Sequence, residues 1–412
     1  DLIAGVIVGI VALPLAIAFA IASGVGPERG LFTAIIAGFC ISFFGGSKVQ
    51  IGGPTGAFAV IVFGVVQEFG FAGLATATVL AGLMLILLGV FKMGGLVKFI
   101  PYTIITGFTA GIAVTIFTGQ IGDFLGLTTG EMPGDFIGKI KTYFSSFDTL
   151  NPYALGISII SLALILVWPK ISKKIPGSLV VIILITVLTQ LLKLPVDTIG
   201  SRYGQIPASL PAPRLPDFDL QMLPDLISPA ISIAILAAIE SLLSALVADG
   251  MIGTKHDSNM ELVALGAANI VAPLFGGIPS TGAIARTATN IKNGGRTPVA
   301  GIIHALTLLL IMLLFGRYAV YIPMSALAAV LVSVAINMAG IPAIKALCKG
   351  QKSDITVLAV TFLLTVFIDL TVAIEVGLVC AAFFFIKKMI DLSTVRELSS
   401  NMDGVPATAT NT

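Results

Sequence analysis

Two stretches of the chain decide how it is read. The first runs Phe44-Gly45-Gly46 and then Gly52-Gly53-Pro54-Thr55-Gly56-Ala57. The second runs Phe275-Gly276-Gly277-Ile278-Pro279-Ser280-Thr281-Gly282-Ala283. Further on, Phe99-Ile100-Pro101 is echoed by Tyr321-Ile322-Pro323, in the same order and at nearly the same spacing. Two matches of this kind mark an internal repeat. Each quoted motif opens a short, weak apolar segment, 55–66 in one half and 281–291 in the other.

The surroundings of these motifs are apolar. Of 412 residues, 57% are hydrophobic and 11% charged, against about 25% charged in a soluble domain. Lipid is the natural solvent for such a chain. A bilayer takes roughly 20 apolar residues per helix. Clear runs lie at 2–23, 30–44, 72–90, 103–117, 153–168, 179–192, 227–247, 262–275, 299–315, 324–338, 355–367 and 372–386. With the two weak segments this predicts an all-α polytopic membrane protein of fourteen spans. With both termini on the cytoplasmic side, fifteen of the 23 basic residues fall inside, seven outside, and Arg286 within the membrane. That bias obeys the positive-inside rule. Seven spans per repeat is an odd number, so the two halves are inverted.

The weak segments then read as half-helices, the third and tenth of the fourteen, meeting at the midplane. A helix that starts inside the membrane has unpaired N–H groups and a partial positive charge. Two such starts facing each other make an anion site. The alternative is that Gly and Pro only kink ordinary spans. Two charges lie in the second repeat. Glu240 is deep in its apolar run and Arg286 about one and a half turns into the half-helix. A charge at that depth costs at least ~2.5–3.5 kcal/mol, so each needs a partner or a function. Arg286 suits a carboxylate or sulfate. Glu240 suits a proton or a cation, with Ser244 one turn on at i+4. The competing reading is a structural Glu240–Arg286 salt bridge locking two helices.

Other function classes find little support. The net charge is +2 and the basic residues are scattered, so no nucleic-acid footprint forms. Cys40, Cys348 and Cys380 match no metal spacing. The two histidines, His256 and His304, sit in no hydrolase pattern, and neither an enzyme nor a cofactor is expected. Asp1 leads at once into an apolar helix with no cleavage site behind it, which does not read as a signal peptide. The polar stretches 119–151 and 193–224 fall outside, with an amphipathic helix expected at 136–147.

Beyond these readings, the chain resembles the sulfate permease (SulP) family of anion transporters. The resemblance rests on Ala12-Leu13-Pro14-Leu15-Ala16-Ile17-Ala18-Phe19-Ala20, on Gly52-Gly53-Pro54-Thr55, and on Asn259-Met260-Glu261-Leu262 with Gly294-Gly295-Arg296-Thr297. Ala238-Ile239-Glu240-Ser241-Leu242-Leu243 is similar to the bacterial C4-dicarboxylate branch. The resemblance implies a uracil-permease-like fold of two inverted seven-helix repeats. It implies a core domain (1–94 and 225–316) that slides against a gate domain (95–193 and 321–390), a homodimer, and a place in the bacterial inner membrane. It also implies a STAS domain beyond the linker 391–412, and that domain is missing from this chain, which stops at Thr412. Thr55, Gly56 and Ala57 match substrate contacts on one side. Gly282, Ala283 and Ile284 match them on the other, with Thr281, Ala285 and Arg286 beside them. Glu240 stands where proton symporters of the family carry Glu. Leu15 departs from the Gln common in eukaryotic members.

The sequence therefore predicts a secondary transporter for a small anion: a C4-dicarboxylate, sulfate or bicarbonate. It predicts proton coupling at Glu240 and an elevator movement. Three alternatives stay open: sodium coupling at Glu240 and Ser244, an uncoupled channel or exchanger, and nucleobase transport on the same fold.

Overall fold

Backbone polar groups in lipid have no water to bond, so each apolar run closes its own bonds as a helix. In the computed structural model the described residues are 1–95, 101–130, 132–172, 176–207, 209–216, 221–368 and scattered positions from 372 to 386. The first half holds α1 (Leu2–Ala22), α2 (Pro27–Phe44), β1 (Gly52–Gly53), α3 (Gly56–Val90), α4 (Tyr102–Gly119), α5 (Ile121–Leu125), α6 (Phe136–Ser145), α7 (Pro152–Ile171), α8 (Gly177–Leu191) and α9 (Ile199–Tyr203). The second holds α10 (Leu223–Ile252), α11 (Ser258–Leu274), β2 (Thr281–Gly282), α12 (Ile284–Lys292), α13 (Pro298–Phe315), α14 (Met324–Met338), α15 (Ile341–Leu347) and α16 (Lys352–Phe367). Among the described residues, eight helices are long and apolar enough to cross a bilayer. The amphipathic helix expected at 136–147 is α6, capped by the Asp135 carboxylate, which accepts from Gly138 N–H. The span expected at 372–386 lies partly outside the described residues, and the linker 391–412 wholly outside.

The stretch Gly56–Val90 holds two helices that meet at a kink at Gly70 (φ 66°, ψ −173°), between the expected segments 55–66 and 72–90. One expectation needs correction. The segment expected to be helical from Thr281 starts three residues late. Thr281 and Gly282 are strand instead, antiparallel to β1, with Gly52 opposite Gly282 and Gly53 opposite Thr281. The all-α reading misses this ribbon. Its cause is tertiary: buried N–H and C=O groups of two facing extended segments must find partners, and they find each other.

The helices pack in two groups. One contains α1, α2, α3, α10, α11, α12 and α13; the other contains α4, α5, α7, α8, α14 and α16. The two touch where α1 meets α14 and α8, and where α3 meets α4. In the first group α3 and α11 cross on glycine. A Cβ at Gly82 would stand 2.7 Å from the Gly266 carbonyl, and one at Gly266 would meet the Gly82 carbonyl at 2.5 Å. With little hydrophobic drive between helices in lipid, such close backbone approach supplies the packing. The opposite surfaces are greasy: Ile159, Ile160, Leu166 and Val167 on α7 and Ile183, Leu184 and Val187 on α8 are exposed. Side chains of this kind face hydrocarbon tails.

Candidate functional site

The candidate residues gather where the ribbon ends. Chain leaving β1 turns at Pro54 and enters α3; chain leaving β2 enters α12. Thr55 is the residue before α3 (φ −128°, ψ 161°) and Ala283 the residue before α12 (φ −104°, ψ 110°). A threonine in that position ordinarily accepts from the N–H groups of the first turn. Thr55 makes no such cap. Its hydroxyl donates instead to Glu240 Oε2 at 2.8 Å. The first N–H groups of α3, on Gly56 and Ala57, have no carbonyl one turn earlier, and neither do those of α12 on Ile284 and Ala285. Both helix starts thus keep free donors and a partial positive charge. Ile284 and Ala285 are exposed, Thr55 and Glu240 half-buried, and Gly56 and Ala57 buried.

Arg286 is the third residue of α12, so it lies in the first turn rather than deeper as expected. It is 2% exposed. Nη1 donates to the Gly52 carbonyl at 3.4 Å, and Nη2 donates to the Pro54 carbonyl. The guanidinium therefore holds β1 from the α12 side. Gly53 makes room for it: its φ is +143°, and a Cβ there would stand 2.6 Å from Nη1. The salt bridge weighed for Glu240 and Arg286 is not formed; the ion pairs among the described residues lie elsewhere. Each charge has polar partners instead, Glu240 a hydroxyl and Arg286 two carbonyls.

Thr281 does not touch a helix start. Its hydroxyl donates to the Ala237 carbonyl at 2.8 Å, which ties β2 to α10. Ser244 does not hydrogen-bond to Glu240 either. It donates to the Thr287 hydroxyl at 3.2 Å, and Thr287 Oγ1 also accepts from Ile51 N–H at 3.0 Å. The i+4 spacing puts Ser244 on the right side of α10, but α12 takes its hydroxyl.

Sequence reasoning missed several neighbours. A Cβ at Gly56 would stand 3.1 Å from Phe19, 3.1 Å from Met338 Sδ and 3.3 Å from Ile116. Phe19 of α1, Ile116 of α4 and Met338 of α14 therefore close over the start of α3. Periodicity marks all three as core, and only the tertiary arrangement brings them here. Glu261 with Gln50 was missed as well, for the same reason. A cavity of about 940 Å³ lies further along α3, lined by Ala59, Phe63, Gln120, Asp123, Lys139 and Arg202. It does not contain Thr55, Glu240 or Arg286.

Residues 1–361 match the model of the sulfate permease family. The chain belongs to that family. It is a multi-pass membrane anion transporter and not an enzyme. Among its relatives is the putative sulfate transporter YvdB of Bacillus subtilis, 48% identical over 397 residues, covering 96% of this chain and 75% of that protein. The bicarbonate transporter BicA of Picosynechococcus sp. is 32% identical over 422 residues, covering 100% of this chain and 74% of that one. The solved transmembrane domain of a cyanobacterial BicA superposes with a TM-score of 0.81 at 31% identity, over 93% of this chain and 96% of that one. SLC26A9 superposes with a TM-score of 0.84 at 22% identity, over 94% of this chain and 64% of that one; this likeness is one of fold. The ribbon and its two helix starts lie inside the matched residues 1–361.

Proposed function

We propose that the chain is a proton-coupled symporter of a small oxyanion. The anion lies between the starts of α3 and α12, and Glu240 carries the proton. The observation that carries this reading is the bond from Thr55 to Glu240. It links the residue that opens one anion-facing helix to the one carboxylate of α10 at the ribbon. A proton on Glu240 removes a negative charge beside the anion, so proton and anion favour each other's binding. Together they neutralise the site and lower the cost of carrying it across the membrane interior.

The two helix groups fit a core, with α1–α3 and α10–α13, that moves against a gate by an elevator motion. The antiparallel ribbon fits two inverted seven-helix repeats. A homodimer in a bacterial plasma membrane, with both termini cytoplasmic, completes the reading. Relatives named for sulfate and bicarbonate favour those anions alongside a C4-dicarboxylate. Sodium coupling is the second reading, with Glu240 and the Thr55 hydroxyl as oxygen ligands; the loss of Ser244 to Thr287 weakens it.

Uptake into liposomes tests the choice. Labelled sulfate, bicarbonate and succinate are offered under an inward proton gradient, an inward sodium gradient, or neither. The proposal expects uptake driven by the proton gradient alone. Uptake that needs sodium and ignores pH favours the second reading, and uptake indifferent to both contradicts coupling.

A further inference from the structure

Glu261 is a buried carboxylate that the transport reading leaves unused. It is 0% exposed, and among the described residues it has no ion-pair partner. It stands in the first turn of α11, where the helix dipole favours negative charge. Its two oxygens draw donors from two other parts of the fold. Oε2 accepts from Ser47 N–H at 3.0 Å. Oε1 accepts from the Gln50 amide at 2.7 Å and from the Ser241 hydroxyl at 3.1 Å. The Gln50 amide also donates to Ser241 Oγ at 2.5 Å.

Gln50 carries this anchoring to the ribbon. It is 2% exposed and lies against Gly282 of β2: a Cβ at Gly282 would collide with the Gln50 amide and stand 3.0 Å from Ser241 Oγ. The ribbon is thus held from two sides by charges of opposite sign. Arg286 binds the carbonyls of Gly52 and Pro54 around β1. Glu261 fixes the amide that packs on β2. Ser241, the residue after Glu240, belongs to the second clamp.

We propose that Glu261 is a positioning residue: through Gln50 it locks β2 against β1 and so sets the spacing of the two helix starts. This rests on the reading of those starts as the anion site. A charged acceptor suits the task because hydrogen bonds to charge are stronger and more directional than neutral ones. Removing it would leave the Ser47 N–H buried without a partner and the Gln50 amide with the Ser241 hydroxyl alone, so both would move to find others.

The test is the concentration dependence of labelled-anion uptake, per folded transporter, using whichever of sulfate, bicarbonate and succinate saturates. Glu261→Ala and Gln50→Leu are expected to raise KM about tenfold with the maximal rate little changed. The reciprocal pair Gln50→Glu with Glu261→Gln rebuilds the carboxylate–amide bond in reverse and is expected to restore much of the affinity. A purely structural brace would lower thermal stability and yield but leave KM of the folded fraction unchanged, and that result overturns the proposal. If Glu261→Ala does not fold, Gln50→Leu decides, because it leaves the carboxylate with Ser47 and Ser241. Arg286→Met separates two failures. If it raises KM while Gln50→Leu does not, only the clamp is wrong; if neither raises KM, the anion does not bind at the ribbon.

Discussion

The Thr55 hydroxyl donates to Glu240 Oε2 at 2.8 Å, joining a helix start in the first half of the chain to a carboxylate in the second. Thr55 gives up its helix cap to do so. Removing the hydroxyl while keeping the shape separates these roles. A hydrogen bond to a charged group contributes about 1.5–3 kcal/mol. Thr55→Val is expected to lower anion affinity roughly tenfold or more and to weaken the response to a proton gradient, both read in the same liposome uptake assay. Thr55→Ser keeps the hydroxyl and is expected to retain most of both.

Arg286 spans two carbonyls of the β1 turn, which a planar fork can do and a single ammonium cannot. Arg286→Lys is therefore expected to behave as a severe change. Anion uptake falls sharply, and the melting temperature in detergent drops. Gly53→Ala should do the same from the other side, since its backbone is at φ +143° and its Cβ would press on the guanidinium. Strain of that kind costs of order 1–3 kcal/mol. Equal thermal stability in wild type and Gly53→Ala would contradict this account of the turn.

Gly82 and Gly266 let α3 and α11 approach to backbone contact. Gly266→Leu inserts a side chain where the Gly82 carbonyl stands, and overpacking of this sort costs typically 1–3 kcal/mol. A lower melting temperature and less folded protein are expected, with Gly250→Leu, where nothing lies within 4 Å, as the benign control.

Tyr143 of α6 is 5% exposed, and burial, helped by the charge of Asp123, pushes its hydroxyl up to about 12 from 10.0. The folded protein holds the neutral phenol more tightly than the unfolded chain does. The stability it contributes is complete below pH 10 and is lost as pH rises toward 12. Ultraviolet titration of phenolate absorbance should show a late-ionising component, to which Tyr203, also pushed up by burial, contributes. The latest part of that component should be lost in Tyr143→Phe.

Much of the fold was legible in the sequence because a membrane span is a local property. The runs that became α1, α2, α4, α7, α8, α10 and α13 carry their own signal, and the break at Gly70 falls between two of the expected segments. The matched Pro-Thr-Gly and Ser-Thr-Gly motifs were legible as a pair, and the fold brings them together at the ribbon. What escaped was set by contacts between distant parts. Thr281 is strand because β1 faces it. Arg286 spends its donors on Gly52 and Pro54 rather than on Glu240. Glu261 reads from sequence as an acidic residue in a first helical turn, and only the fold shows Gln50, separated from it by 211 positions, on its carboxylate.

The central claim is that Glu240 carries the coupling proton, and uptake into proteoliposomes at zero membrane potential tests it most directly. Labelled anion uptake is measured with and without an inward proton gradient, for wild type and Glu240→Gln. The account predicts that the gradient accelerates and concentrates uptake in wild type, and that the variant still exchanges anion across the membrane but no longer responds to the gradient. A variant that keeps the full wild-type response would contradict it.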